Sequence, residues 1–191
     1  MRFEKYRKEF EEDCKQILEN DFFGEIDLRM LYEMIRENKP KQIVEIGAGY
    51  SSYCMWKAMK RYQDPNIISI DPVEKRIVPI NQQFHKRWQE MDYEKIVDGL
   101  KENDVLFIDG EHTEKEFHEY QEKLFPLLEP GVIVHFHDVC DNPFDRHYDP
   151  ENGEVHALLK FLKNNPGFFE IMIHGNKEMQ WSYSLWVRRN K

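Results

Sequence analysis

The chain has 191 residues, 40% of them apolar and 33% charged, with a formal net charge of −9. That length favours one domain around one sizeable core, and no apolar run reaches the roughly 18 residues a membrane-spanning helix needs. The acidic balance, with Lys and Arg scattered, repels phosphate backbones and disfavours extended nucleic-acid binding.

The charged N-terminal segment lacks the apolar core of a signal peptide. Cys14, Cys54 and Cys140 are widely spaced and form no CxxC pair. Neither a disulfide framework nor a zinc knuckle is expected, and a reducing cytoplasm fits best.

Residues 2–19 read as an amphipathic helix, with Phe3, Tyr6, Phe10, Ile17 and Leu18 near one face. A second helix, 27–38, carries Leu28, Leu31 and Ile35, and "NKP" ends it because the residue before proline avoids helical geometry. The period then changes. "KQIVEIG" (41–47) is a short apolar strand, 50–62 a helix with Met55, Met59 and Tyr62 on one stripe, and 66–71 a second strand. "RIVPI" (76–80) reads as a short edge strand, 87–100 as a helix, and 104–109 as a buried strand.

Residues 113–128 form a helix whose start, Thr113 with Glu116, matches a capping box. "EPG" (129–131) is a turn, 132–137 a strand, 138–152 a polar loop and 154–162 a helix. Strands at 168–174 and 180–189 close the chain, joined through "GNKE" as a hairpin. The last strand alternates Trp181, Tyr183, Leu185 and Val187, as a half-buried strand should. Strand–helix alternation predicts an α/β unit: a mostly parallel sheet with helices on both faces and a C-terminal antiparallel hairpin, preceded by N-terminal helices. Residues 1–39 are the helical extension and 40–191 one globular unit.

Such sheets bind ligands at the carboxyl ends of their strands. "VEIGAGYSS" (44–52) puts Glu45, Gly47 and Gly49 at the end of the first strand, ahead of a helix N-terminus with free N–H groups. Asp71 ends the next strand, where a carboxylate can accept both hydroxyls of a ribose or make an Asx turn before Pro72. A dinucleotide fold wants a third glycine where Ser52 stands, and a P-loop wants G-K-[ST], which is absent. An adenosyl ligand without a pyrophosphate needs neither. "LFIDGEH" (106–112) supplies Asp109 and His112, and "VIVHFHDVC" (132–140) supplies His137 and Asp138. If these two strands are neighbours, the four side chains converge. Carboxylates at adjacent strand ends can share a divalent cation, and an imidazole can take a proton from a hydroxyl. His135 reads as a core residue, and Glu111, Cys140 and His118 as surface or packing residues.

Taken together, "VEIGAGYSS", "ISIDP", "VLFIDGEH", "LLEPGVIVHFHDV" and "EVHALLKFLKNNPGFFEIMIH" resemble class I S-adenosylmethionine-dependent methyltransferases over residues 40–189. The likeness is to the branch that includes metal-dependent sugar O-methyltransferases. The resemblance implies a Rossmann-like sheet and O-methylation of a small-molecule acceptor. It implies that Glu45, Gly47, Gly49 and Ser51 line the cofactor, that Asp71 holds its ribose, and that Asp109 lies near the methyl donor. His112 is then the general base, and Asp109 and Asp138 are ligands of an optional divalent metal, with His137 beside them. Some sugar-modifying relatives carry a carboxylate where His137 stands, which turns the preference from magnesium to a softer metal or to none.

Adenine contacts are expected at Asn81 and Gln82, and acceptor contacts in the 138–152 loop at Arg146, His147 and Tyr148. The N-terminal helices could lid the cofactor, form a homodimer contact or simply pack. Rival readings are a nicotinamide-dependent oxidoreductase, a non-catalytic module that keeps the adenosyl pocket, and, last, a metal hydrolase on His135, His137 and Cys140, whose spacing is not that of a zinc site.

Overall fold

The protein is seen in a computed structural model that describes residues 4–20, 23–73, 80, 82–140, 153–174 and 182–191. Seven strands form one sheet: β1 (Ile43–Ile46), β2 (Ile67–Ile70), β3 (Gln82–Phe84), β4 (Val105–Ile108), β5 (Ile133–Phe136), β6 (Phe169–His174) and β7 (Leu185–Arg189). Their order is β3-β2-β1-β4-β5-β7-β6. The first five run parallel, and β7 lies antiparallel between β5 and β6. The chain moves outward one way from β1 and returns to its other side at β4. The loops after these two strands therefore diverge and leave a crevice.

The helices are α1 (Arg7–Cys14), α2 (Glu25–Asn38), α3 (Tyr50–Lys60), α4 (Tyr93–Val97), α5 (Glu114–Glu119) and α6 (Gly153–Asn164). The helix predicted over 2–19 is α1 followed by one 3-10 turn, Lys15–Ile17, with Phe10 and Ile17 buried as its stripe requires. Helix α2 stops at Asn38, before the left-handed Lys39 (φ 48°) and Pro40. Both helices join α3, β1 and β4 in one apolar cluster, through Phe10, Leu28, Leu31 and Ile35 against Ile43, Met55 and Phe107. Asp27 ties α2 to the chain before β7: it accepts from Ser182 Oγ and Ser184 Oγ, each at 2.7 Å, and from Tyr183 N at 3.1 Å.

Three expectations need correction. The helix predicted over 87–100 is a 3-10 turn, Trp88–Glu90, an extended Met91, and the short α4. Met91 is extended (φ −99°, ψ 162°) and breaks the helix between Trp88 and the Ile96–Val97 pair, all three of which enter one core cluster. Trp88 donates to Glu116 Oε1 at 2.8 Å and stacks on Tyr120 at 4.6 Å. The helix predicted over 113–128 is regular only in α5. It widens into a π turn at Tyr120–Leu124 and tightens into a 3-10 turn at Phe125–Leu127, where Pro126 has no N–H to offer the preceding turn. Strand β7 is buried on both faces rather than one. Leu185 and Val187 meet one core cluster and Trp186 the other, because the strand is interior to the sheet. The sheet ends at β3, a polar run with little strand signal, on one side and at β6 on the other. Most of 76–80, the "GNKE" connection and Trp181 fall outside the described residues. Among the described residues no helix is long and apolar enough to cross a membrane.

Candidate active site

The turn after β1 is held from beneath. Glu45 is fully buried, and its two carboxylate oxygens accept from Ser51 Oγ at 2.8 Å and Ser52 Oγ at 2.7 Å. Ser52 Oγ accepts in turn from Gly49 N at 3.1 Å. Glu45 and Ser51, expected on a cofactor, thus face inward and fasten the first turn of α3 to the sheet. Gly47 has φ +85°, and a Cβ there would lie 1.9 Å from the Asp109 carbonyl oxygen. Gly49 is extended and a Cβ there would meet open space. Of the two glycines, only Gly47 is dictated by close approach.

Burial pushes the Glu45 carboxyl up to about 7, with the Ser52 and Ser51 hydroxyls pulling the other way. Below its ordinary value of 4.5 the group is protonated in folded and unfolded chains alike. Between that value and about 7 the unfolded chain ionises first. Stability should fall as pH rises through this window, by about 3 kcal/mol in total. Glu45→Gln is expected to flatten that slope in urea unfolding followed across the window, and an unchanged slope would remove Glu45 as its source.

Beyond the turn lies a cleft of about 220 Å³, between Gly47 and Ala48 on the β1 side, Asp71 and Pro72 after β2, Trp88, and Asp109 after β4. Asp71 makes the Asx turn expected of one reading, at the edge of the cleft where the other would place a ribose. Its Oδ1 accepts from Val73 N at 2.7 Å, closing the Asx turn, and its Oδ2 accepts from Ala48 N at 2.8 Å, locking the glycine turn to β2. Gln82 does not line the cleft, and Asn81 lies outside the described residues. The wall there comes from Arg87, Trp88 and Glu111 instead. Arg87 Nη1 pairs with Glu111 Oε1 at 2.8 Å across its outer side, so Glu111 belongs to the cleft and not simply to the surface.

The role of Glu116 is also hidden in the sequence. Thr113 does cap α5, accepting from Glu116 N at 3.1 Å. The Glu116 carboxylate does not return the bond as a capping box would; it takes Trp88 Nε1 and, at 2.6 Å, Glu111 N.

The rim forms where β4 and β5 end side by side, with Ile108 opposite Phe136. His112 Nε2 lies 3.4 Å from both Asp109 Oδ1 and Asp138 Oδ2. Its Nδ1 lies 2.7 Å from Glu154 Oε2, a buried carboxylate at the start of α6 that no motif in the sequence singles out. His137 Nδ1 lies 3.2 Å from Asp138 Oδ1 and 3.5 Å from Asp109 Oδ1. His112 (φ 57°) and Asp138 (φ 55°) both sit in the left-handed region, a strain that clusters at functional sites. Arg146, His147 and Tyr148 lie outside the described residues.

The charges at the rim decide who carries protons. Burial alone would strip His112, but the Asp109 and Glu154 carboxylates, backed by Asp138, raise it to about 10. Burial raises Glu154, so the pair competes for one proton, and the two further carboxylates award it to His112. Burial would also raise Asp109, yet His137 and His112 hold it below the usual carboxylate range. His137 is raised against its burial by Asp109 and Asp138. One step deeper, His135 is kept neutral by burial between Phe107 and Trp186, as a core residue.

Asp109, His137 and Asp138 each offer one ligand atom, and the three atoms lie within 4.8 Å of one another. Both His137 ring nitrogens are buried without a hydrogen-bond partner among the described residues. A nitrogen and two carboxylate oxygens suit a divalent cation of intermediate softness.

A family profile described as a methyltransferase domain matches residues 44–139, half of the chain. No curated protein matches it. Solved structures do. The SAH-bound methyltransferase PaMTH1 of Podospora anserina is 17% identical with a TM-score of 0.55, over 97% of this chain and 87% of that one. The O-methyltransferase of Bacillus cereus in complex with SAH is 14% identical with a TM-score of 0.59, over 97% and 90%. MycE, a methyltransferase of the mycinamycin biosynthetic pathway in complex with Mg, SAH and mycinamycin VI, is 16% identical with a TM-score of 0.65; the match covers 96% of this chain but 55% of that one. At these identities the likeness is one of fold. The family match is the stronger statement: it opens inside β1 and ends just past β5, taking in every strand end that meets at the cleft, and the chain belongs to this family of methyltransferase domains.

Proposed function

We propose that the protein transfers a methyl group from S-adenosylmethionine to a hydroxyl of a small-molecule acceptor. One observation carries the reading: Asp109 belongs both to the cleft that it lines with Asp71 and Gly47 and to the rim cluster of His112, His137 and Asp138. The PaMTH1, Bacillus cereus and MycE structures, each with SAH in complex, support the cofactor. MycE, with Mg and a mycinamycin, supports a metal and a small acceptor.

The cofactor, once bound, supplies a methyl group on a positively charged sulfur, ready for in-line displacement. The chain's part is to orient and to move a proton. Asp71 accepts the ribose hydroxyls. Gly47 lets the backbone approach closely, and Arg87, Trp88 and Glu111 flank the nucleoside. His112 takes the proton of the acceptor hydroxyl at Nε2, while Glu154 holds Nδ1 and thereby fixes which nitrogen faces the acceptor. Asp109, His137 and Asp138 would hold a divalent cation, which would lower the pKa of a hydroxyl beside it. Residues 1–39 form an extension to the methyltransferase unit, and the buried thiols of Cys14 and Cys54 fit a reducing cytoplasm.

Calorimetry with S-adenosylmethionine, run with and without Mn²⁺ or Mg²⁺, tests cofactor and metal together. We expect saturable binding of one equivalent, competed by S-adenosylhomocysteine, and tighter retention of Mn²⁺ than of Mg²⁺. Absence of binding, or binding of NADH in its place, would defeat the reading.

A further inference from the structure

The metal rim is braced by a residue outside the methyltransferase unit. We infer that Phe23, carried by the N-terminal helices, is a positioning residue that fixes the His137 imidazole for metal binding. The inference rests on the metal reading above and adds a part of the chain that lies far from the signature residues.

A metal-bound histidine is ordinarily aimed by a hydrogen bond from its second nitrogen to a carboxylate or carbonyl. His137 lacks this device among the described residues: with Nδ1 facing Asp109 and Asp138, its second nitrogen, Nε2, has no hydrogen-bond partner. The last torsion of a histidine side chain is soft, so something else must set the plane of the ring. Phe23 does so by stacking on it, with centroids 4.1 Å apart and planes 19° apart. With that plane set, Nδ1 points at Asp138 Oδ1 and Asp109 Oδ1.

Phe23 is itself tied down on both sides. Asn20 brackets its backbone, accepting from Phe23 N at 2.6 Å and donating to Phe23 O at 2.9 Å. The same amide donates to Ile17 O at 2.7 Å. On the other side, Asp27 clamps the start of α2 to Ser182 and Ser184. Phe23 is 5% exposed, and a plain core residue could be equally buried. The difference is that a core role asks only for apolar volume, whereas a positioning role asks for a flat ring.

The test uses the full chain and Co²⁺ as probe, with affinity from calorimetry and coordination from the visible absorption bands. Phe23→Leu keeps apolar bulk and loses the ring; Phe23→Tyr keeps the ring. We expect Phe23→Leu to weaken Co²⁺ binding by about 10- to 100-fold and to alter the bands, and Phe23→Tyr to restore both. S-adenosylmethionine affinity and circular dichroism should match wild type in each variant. Wild-type affinity and bands in Phe23→Leu would overturn the role of Phe23 while leaving the metal site standing. A wild-type chain that takes up no Co²⁺ would overturn the metal reading, and this inference with it.

Discussion

Replacing His112 with alanine is expected to slow methyl transfer roughly 100- to 10,000-fold, the usual contribution of a positioned general base. S-adenosylmethionine affinity should stay near wild type, because His112 does not line the cleft that Asp71 and Gly47 form. The base needs its proton off, and the fold makes this hard: in the metal-free protein Asp109, Glu154 and Asp138 hold His112 at about 10. At neutral pH it is therefore an imidazolium, and its basic form grows about tenfold per pH unit until that value is reached. A cation between Asp109 and Asp138 would satisfy the same carboxylates that hold the proton, so metal and proton compete. Glu154→Gln removes one carboxylate that raises the imidazole and lies outside the metal set. It should lower the His112 titration in NMR spectra of the chelated protein and move the rising limb of the pH–rate profile to lower pH. Wild-type turnover in His112→Ala would remove it as the base.

The strand ends are legible in the sequence because their signals are local. A short apolar run that stops at a glycine or an acid marks the carboxyl end of a buried parallel strand, and Asp71, Asp109 and Asp138 stand at such ends. Neighbourhood of β4 and β5 then suffices to bring His112, His137 and Asp138 together. What escapes depends on partners distant in sequence. Glu116 has the spacing of a capping box, yet a buried indole, Trp88, is a competing donor that no local pattern announces. Glu154 reads as an ordinary first-turn acid until α6 lies over His112. Phe23 looks like any apolar residue before a helix. Glu45 stands beside the glycines, and the two serine hydroxyls a turn later that bind its oxygens are partners no local pattern announces. The helix expected over 87–100 breaks at Met91, whose extended backbone divides Trp88 from Ile96 although both enter one core cluster.

Gly47→Ala should be the most damaging alanine replacement among the described glycines. The backbone at Gly47 has φ +85°, which an alanine adopts at a cost of about 1 kcal/mol. Steric contact costs more. The new Cβ would stand 1.9 Å from the Asp109 carbonyl oxygen and 2.9 Å from its carbon. Both are main-chain atoms, so no side chain can swing aside. Moving them apart means parting β1 from β4 where they are joined by the bond from Asp109 N to Ile46 O, 2.9 Å. It also strains the bond from Gly47 N to Ile70 O, 3.0 Å. A loss of about 4 kcal/mol or more is expected, which for a chain of this size lowers Tm by roughly 10 °C. Whatever folded protein remains should bind S-adenosylmethionine at least roughly 100-fold more weakly, because the displaced residue is Asp109 itself. Gly49→Ala is the internal control: its backbone is extended and its Cβ meets open space, so stability should change by less than about 1 kcal/mol. Thermal unfolding and calorimetric titration of the two variants side by side separate the roles of the two glycines. Equal Tm values would mean that β1 and β4 part at the carboxyl end far more easily than their packing implies.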